Sequence, residues 1–165
     1  MKRTHDITKQ HGFTMVELLA VMAIVAVLAG IGVPMLSSFV QLGQVRATAL
    51  DLVADLQFAR SEAIKRNASV DVEPVIAGSW TSGWRVHAGT DNTGPVLRAR
   101  VRDAGQISTS SASTHFVYAG NGRLDALVGV ASVQFCPAHA GSTTGRIVEV
   151  QLSGLARTSA TGCST

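Results

Sequence analysis

The 165-residue sequence has few charged residues and only two cysteines. Charged side chains make up 15% of the chain, where about 25% is usual for a soluble domain. Two cysteines exclude a multi-cysteine zinc module and a disulfide-dense miniprotein. A net charge of +3 is too small to indicate nucleic-acid binding by the whole chain. Apolar residues occur throughout, which excludes a low-complexity disordered protein.

The sequence also lacks a catalytic or cofactor-binding constellation. No two of its five histidines stand at the i,i+4 metal spacing or in a Cys/His cluster. No GxSxG, GxxxxGK(S/T) or GxGxxG string is present. The turn that contains Asp91 and Asn92 lacks the alternating oxygen ligands of a calcium loop. We therefore expect no enzymatic activity, no cofactor and no metal.

Apolar residues are concentrated in one segment near the N-terminus. Residues 1–12 are polar and carry three basic residues against one acid, whereas residues 13–36 contain a single charge, Glu17. A helix of this length spans roughly 36 Å, enough to cross a hydrocarbon core of about 30 Å. The preceding basic residues predict a cytoplasmic N-terminus and an exported remainder. A secretory signal or a buried helix is the alternative, but the segment continues without a signal cleavage site.

Composition does not explain why a charged residue, Glu17, lies in the apolar segment. A carboxylate inside a membrane-spanning helix costs about 2.5–3.5 kcal/mol on insertion scales, so such a residue is a functional candidate. The alternative is that Glu17 lies at the membrane interface, where a carboxylate near the start of a helix interacts favourably with the helix dipole.

The string HGFTMVELLAVMAIVAVLAGIGVP, residues 11–34, resembles the type III signal of type IV pilins and type II secretion pseudopilins. The resemblance implies that residues 1–12 are a leader, that prepilin peptidase cuts after Gly12, and that Phe13 becomes the N-methylated first residue. Glu17 is then the fifth mature residue, which in pilin filaments is thought to pair with the N-terminal amine of a neighbouring subunit. Pro34 falls where many members of the family have a helix-kinking proline.

From residue 37 the apolar pattern changes to that of an amphipathic helix over 37–68. One seam has alternating spacings of three and four, at Leu42, Val45, Ala49, Leu52, Leu56, Ala59 and Ala63. The charged residues around it are expected on a solvated face: Arg46, Asp51, Asp55, Arg60, Glu62, Lys65 and Arg66. Glu62 and Arg66 can pair at i,i+4, and Asn67 is expected to end the helix.

The remaining residues, 69–165, predict a β-rich domain that packs on this helix. Short strand patterns alternate with glycine, serine, threonine and asparagine turns. Strands are expected at 69–73, 83–88, 96–102, 114–118, 130–136 and 145–152, and the Ser/Thr cluster at 108–114 is expected to be a loop. Trp80 and Trp84 are expected to anchor the core or its rim.

Three strings, DLQFARSEAIKRNASV, SGWRVHAGTDNTG and FVYAGNGRL, resemble parts of the FimT/FimU minor pilins and GspH pseudopilins. The resemblance implies an α+β pilin-like fold, in which a long N-terminal helix packs on an antiparallel β-sheet or sandwich. It implies a structural subunit that is incorporated in, or primes or tips, a type IV pilus or a type II secretion pseudopilus. The implied partners are other pilin or pseudopilin subunits, prepilin peptidase, the inner-membrane assembly platform and inner-membrane lipid.

The two cysteines are expected to form a disulfide. Under the predicted topology Cys136 and Cys163 lie in an oxidising periplasm, and the closed loop contributes roughly 3–4 kcal/mol in the chain-entropy model. Free thiols are the alternative. Similar cysteines occur in chains that resemble FimT and FimU.

Five arginines are candidates for DNA binding. Arg98, Arg100 and Arg102 alternate with apolar residues, which places them on one strand face; Arg146 and Arg157 follow. Several FimT-like pilins carry a Gly-Arg-x-Arg motif linked to DNA uptake. The alternative function is therefore that of a FimT-like minor pilin that acts as a DNA receptor in natural transformation, with DNA as a partner. The string 154–157 here lacks the first arginine of the motif. Without the leader 11 basic and 10 acidic residues remain. The alternative is that these arginines pair with acids or face a neighbouring subunit.

Overall fold

The computed structural model describes residues 13–90, 93–102, 105, 107–125, 131–138 and 144–163. They form one helix and eight strands: α1 (Met15–Arg66), β1 (Val70–Ile76), β2 (Ser79–Ala88), β3 (Val96–Val101), β4 (Ile107–Ser111), β5 (Phe116–Tyr118), β6 (Ala131–Pro137), β7 (Thr144–Val150) and β8 (Ala156–Gly162). Residue contacts divide the chain into two units, 1–37 and 38–165.

The first unit contains the apolar start of α1. Thr14 precedes the first helical residue, and its Oγ1 accepts a hydrogen bond from the backbone N–H of Glu17 at 3.2 Å. A threonine followed by glutamate three residues later is the arrangement of a capping box, which explains why the helix begins at Met15. The window Met15–Gly32 has a mean hydropathy of 2.4 and none of it is buried. Length and composition thus make it a candidate membrane span. Pro34 lies within α1, and the kink remains a prediction.

In the second unit the predicted apolar seam of the helix is buried. Val45, Ala49, Leu52, Leu56, Ala59 and Ala63 are at most 1% exposed, whereas Leu42 is 38% exposed. The seam therefore begins one helical turn later than expected. Three of its six buried members are alanines, whose small side chains let the helix approach the sheets closely. The predicted pair of Glu62 and Arg66 is present, with 3.1 Å between Oε2 and Nε.

The helix ends at Arg66, as predicted from Asn67. Asn67 has a φ of 48°, and its N–H donates to the carbonyl of Ile64 at 3.2 Å. The N–H of Ala68 donates to the carbonyl of Ala63, also at 3.2 Å. These two bonds with a left-handed residue form a Schellman motif, so Asn67 turns the chain out of the helix and into β1.

The strands form two antiparallel four-stranded sheets. Their orders are β3-β2-β1-β5 and β4-β6-β7-β8. The core between the amphipathic part of α1 and the sheets is dominated by large side chains, including Trp80, Trp84, Phe116, Tyr118 and Phe135. Both tryptophans are core residues, at 0% and 1% exposure. The expected α+β class is confirmed.

Two edge strands are absent from the sequence-based prediction. The Ser/Thr cluster expected to be a loop forms β4, which pairs with β6 from Ile107 opposite Pro137 to Ser111 opposite Val133. The C-terminal strand β8 pairs with β7 along its whole length. The expectation of a loop at 108–114 is therefore wrong. An edge strand with small polar side chains need not alternate apolar and polar residues, so the periodicity of a half-buried strand is missing.

Candidate functional site

The predicted processing motif lies where the helix begins. Gly12 lies outside the described residues, and Phe13 immediately precedes the capping residue with 82% of its surface exposed. Glu17 is in the first turn of α1 and is exposed. In the described part of the chain no basic side chain pairs with its carboxylate. The motif therefore offers an uncovered apolar helix with one free acid.

Asp55 is the main correction to the sequence-based prediction. It was expected on the solvated face of the helix, but its side chain is completely buried. It accepts hydrogen bonds from the Trp84 indole at 2.8 Å, from Arg98 at 2.8 Å and from Arg100 at 2.9 Å. Burial alone would raise the pKa of Asp55, but the bonds from Arg100, Arg98 and Trp84 outweigh it and hold the pKa below its usual value.

Asp51 extends these contacts one helical turn toward the N-terminus. Arg102 binds the Asp51 carboxylate and donates to the hydroxyl of Thr48 at 2.7 Å. Arg100 also lies 3.5 Å from Asp51. We call the set Asp51, Asp55, Trp84, Arg98, Arg100 and Arg102 the Arg–Asp cluster. It joins α1 to β3, the edge strand of its sheet, so that this edge is held on the helix by charge-assisted hydrogen bonds.

The backbone at Gly83 makes this arrangement feasible. Gly83 has a φ of 97°, and a Cβ at this position would lie 1.9 Å from the carbonyl oxygen of Arg100. Only glycine adopts this conformation readily and leaves room for the neighbouring backbone. Gly83 therefore lets β3 pair closely with β2 at the place where Arg100 turns toward Asp55.

The structure does not bring the five candidate DNA-binding arginines together. Arg98, Arg100 and Arg102 are engaged with acids of α1 in the Arg–Asp cluster, as the alternative interpretation expects. Arg146 lies on β7 and lines a groove with Phe39, Leu42 and Arg46 of the helix. Arg157 lies on β8 opposite Glu149 of β7. Glu149 alternates with the buried Val148 and Val150, so Glu149 and Arg157 are on the sheet face opposite to that of Arg146. The DNA-receptor interpretation gains no support from this placement.

Cys136 and Cys163 form the expected disulfide. Their Cα atoms are 6.0 Å apart, and the bond ties the end of β6 to the residue after β8. Gly145 on β7 lies beside it: a Cβ there would be 2.5 Å from Cys163 Sγ and 2.8 Å from Cys136 Sγ. The disulfide thus links β6 to β8 across β7, and only a glycine at position 145 leaves room for the two sulfur atoms.

Comparison with known families identifies the chain. The model of the family described as "Type II transport protein GspH" matches residues 48–154, about two thirds of the sequence. The chain belongs to this family. The prokaryotic N-terminal methylation motif matches residues 7–33, which include Gly12, Phe13 and Glu17. GspH-family membership and this motif make the chain a subunit of the minor-pilin and pseudopilin class.

The fold of this GspH-family chain is also that of a solved minor pilin. It is similar to two crystal structures of the type IV minor pilin FimU of Pseudomonas aeruginosa, in space groups P21 and P65. The first has a TM-score of 0.59 and 23% identity over 72% of this chain and 90% of that one. The second has a TM-score of 0.54 and 22% identity over 69% and 91%. No curated protein sequence matches the chain.

Proposed function

We propose that the chain is made as a prepilin, cut after Gly12, N-methylated on Phe13 and inserted as a non-catalytic structural subunit into a filament. That filament is a type IV pilus or a type II secretion pseudopilus. The observation that carries the proposal is the methylation motif over residues 7–33, which includes the apolar start of α1, Met15–Gly32, none of which is buried.

The uncovered surface supports both a membrane and a filament stage. Phe13, Met15 and Val16 are each at least 75% exposed, and water exposure of so much apolar surface is unfavourable. Lipid covers such a helix before assembly, and the helices of neighbouring subunits cover it afterwards. We propose a leader at 1–12, a membrane and filament-core helix at 13–36, an amphipathic helix at 37–68 and a periplasmic head at 69–165.

The proposed topology is a single pass through the inner membrane. The basic residues of the leader favour a cytoplasmic N-terminus. The disulfide between Cys136 and Cys163 suits an oxidising periplasm for the head. The proposed partners are other pilin or pseudopilin subunits, prepilin peptidase, the assembly platform and membrane lipid.

Glu17 is the proposed assembly residue. Processing would place a positive amine on Phe13 of each subunit, and an unpaired charge among packed apolar helices is costly. Pairing the carboxylate of one subunit with the amine of its neighbour relieves both charges and favours one register. The pairing resembles what is thought to occur in pilin filaments, and the Glu17 carboxylate is available for it.

The experiment that tests the proposal replaces Glu17 in cells that make the filament. Glu17→Val and Glu17→Gln should be processed and retained in the inner membrane, but they should be absent from sheared filaments. Removing one member of a buried ion pair costs about 3–5 kcal/mol, which is large beside the free energy expected for the docking of one subunit. Glu149→Gln, an acid-to-amide change on β7, is the control and should assemble normally. Glu17→Gln at wild-type stoichiometry in filaments would contradict the pairing.

A further inference from the structure

A polar cavity lies against the sheet of β1 and β2, on the face opposite the helix. Its volume is about 480 Å³, and its polar lining residues include Asp71, Glu73, Arg85, Thr114 and His115. Asp71 and Glu73 alternate with the core residues Val70 and Val72 along β1, so their side chains point away from α1. The volume is within the range of small-ligand sites.

Asp71 is the unusual residue of this cavity. Only 3% of it is exposed, and among the described residues its Oδ1 has no hydrogen-bond partner. Burial raises the pKa of Asp71 to about 6, because the protein supplies little to stabilise the ionised form. Buried carboxylate oxygens are normally hydrogen-bonded, so this oxygen is a vacant acceptor.

The titratable groups around Asp71 offset only part of the effect of its burial on its pKa. His87 is directly opposite on β2, and Arg85 is opposite Glu73. Nε2 of His87 lies 3.3 Å from Oε1 of Glu73, but it forms no hydrogen bond within the described part of the chain. His115, just before β5, is the remaining titratable group that acts on Asp71. The charged and titratable side chains that line the cavity are therefore two carboxylates, one guanidinium and one imidazole, so the lining carries a negative excess whenever the imidazole is neutral.

The cavity favours an organic cation over a metal ion. In the described ranges no group of three or more His, Cys, Asp and Glu side chains is placed to hold a metal. The walls also include Pro74, Val75 and Ala77, whose apolar surfaces suit a methylene chain. We propose that this cavity binds an alkylammonium group, whose positive charge pairs with the Asp71 carboxylate at the cavity wall while its methylene stem contacts these apolar walls.

The test uses the full-length protein in detergent micelles and observes the amide signals of Thr114 and His115 by NMR. The probe is N-acetyl-lysine amide, and N-acetyl-norleucine amide is the matched probe without the ammonium group. At pH 7.5 the lysine probe should shift both signals saturably, whereas the norleucine probe should not. Asp71→Asn should weaken binding of the lysine probe by about tenfold or more, and Glu149→Gln should leave it unchanged.

Acidification provides a second readout. At pH 4.5 most Asp71 is protonated, given a pKa of about 6, so the affinity for the lysine probe should fall by about tenfold or more. Asp71→Asn should lose most of this pH dependence. Because the asparagine is uncharged, the variant is expected to remain folded at both pH values, which tryptophan fluorescence verifies.

A parallel titration with cadaverine distinguishes the two sources of the cation. Tighter binding of the lysine amide indicates a lysine side chain of a protein, and tighter binding of cadaverine indicates a free amine; either supports the site. Three results would overturn the proposal: no saturable shift with either amine, equal binding of the norleucine probe, or unchanged binding in Asp71→Asn. None of these readouts depends on filament assembly.

Discussion

Replacing Asp55 with asparagine removes the charge at the centre of the Arg–Asp cluster and keeps the shape of the side chain. The carboxylate accepts three hydrogen bonds, from Trp84, Arg98 and Arg100, and an amide cannot accept all three. A buried donor left without an acceptor costs about 1–3 kcal/mol, and bonds to charged groups contribute about 1.5–3 kcal/mol each.

Partial exposure of the arginines reduces that cost. The side chains of Arg98 and Arg100 are 41% and 35% exposed, so water replaces part of the hydrogen bonding that they lose with the carboxylate. We therefore expect Asp55→Asn to lower the free energy of unfolding by about 3 kcal/mol, the lower end of the range for breaking a buried ion pair. Urea unfolding followed by the fluorescence of the two core tryptophans measures this change.

Asp51→Asn is the matched control on the same helix face. Asp51 is 33% exposed, so its loss should cost about 1 kcal/mol or less. Equal destabilisation by both variants would refute the central role of Asp55. The pH dependence is a further check: the folded pKa of Asp55 lies below the unfolded value of 3.8. The advantage of the wild type is therefore complete above pH 3.8 and declines as pH falls through the folded pKa.

Two further predictions concern the head. The pKa of Asp71 is raised from 3.8 to about 6, so ionisation of Asp71 opposes folding. As pH rises from 4 to 7, the free energy of unfolding of the wild type should fall by up to about 3 kcal/mol relative to that of Asp71→Asn. The same pH dependence of unfolding in both proteins would contradict this prediction. Gly145→Ala places a Cβ against both disulfide sulfurs and should destabilise the oxidised protein by about 1–3 kcal/mol in urea unfolding. Gly43→Ala, with no atom within 4 Å of the added Cβ, should not, and equal behaviour of the two variants would show that Gly145 is not needed.

The parts of the fold that the sequence predicts correctly are those with a strong apolar periodicity, a helix-capping residue or a single possible disulfide pairing. The apolar run starting at Phe13, the seam from Val45 to Ala63 and the stop at Asn67 all follow from helical spacing and capping. The cysteine pair follows from the predicted export of the domain to an oxidising compartment and from the presence of only two cysteines. The helical features depend on residues that are close together in the sequence, which is why a single sequence reveals them.

The burial of Asp55 depends on a strand more than 40 residues away, so helix periodicity alone places it on the solvated side. A signal was nevertheless present. Thr48, Asp51 and Asp55 stand at i, i+3 and i+7, which spans about 10 Å along one helix face. Arg98 and Arg100 of β3 and Arg102, the residue after it, span about 13 Å along one strand face. Matching these two rows would have predicted the Arg–Asp cluster.

The central claim is that this GspH-family chain is processed as a prepilin. The most direct test is to purify the protein from membranes of a host that has prepilin peptidase and to measure its intact mass. The account predicts the mass of residues 13–165 with the disulfide formed and one methyl group added, and fragmentation should place that methyl on Phe13. Gly12→Val should shift the mass to that of the uncleaved chain, whereas Gln10→Val in the same leader should still be processed. A wild-type protein that begins at Met1, or beyond residue 30, would contradict the account.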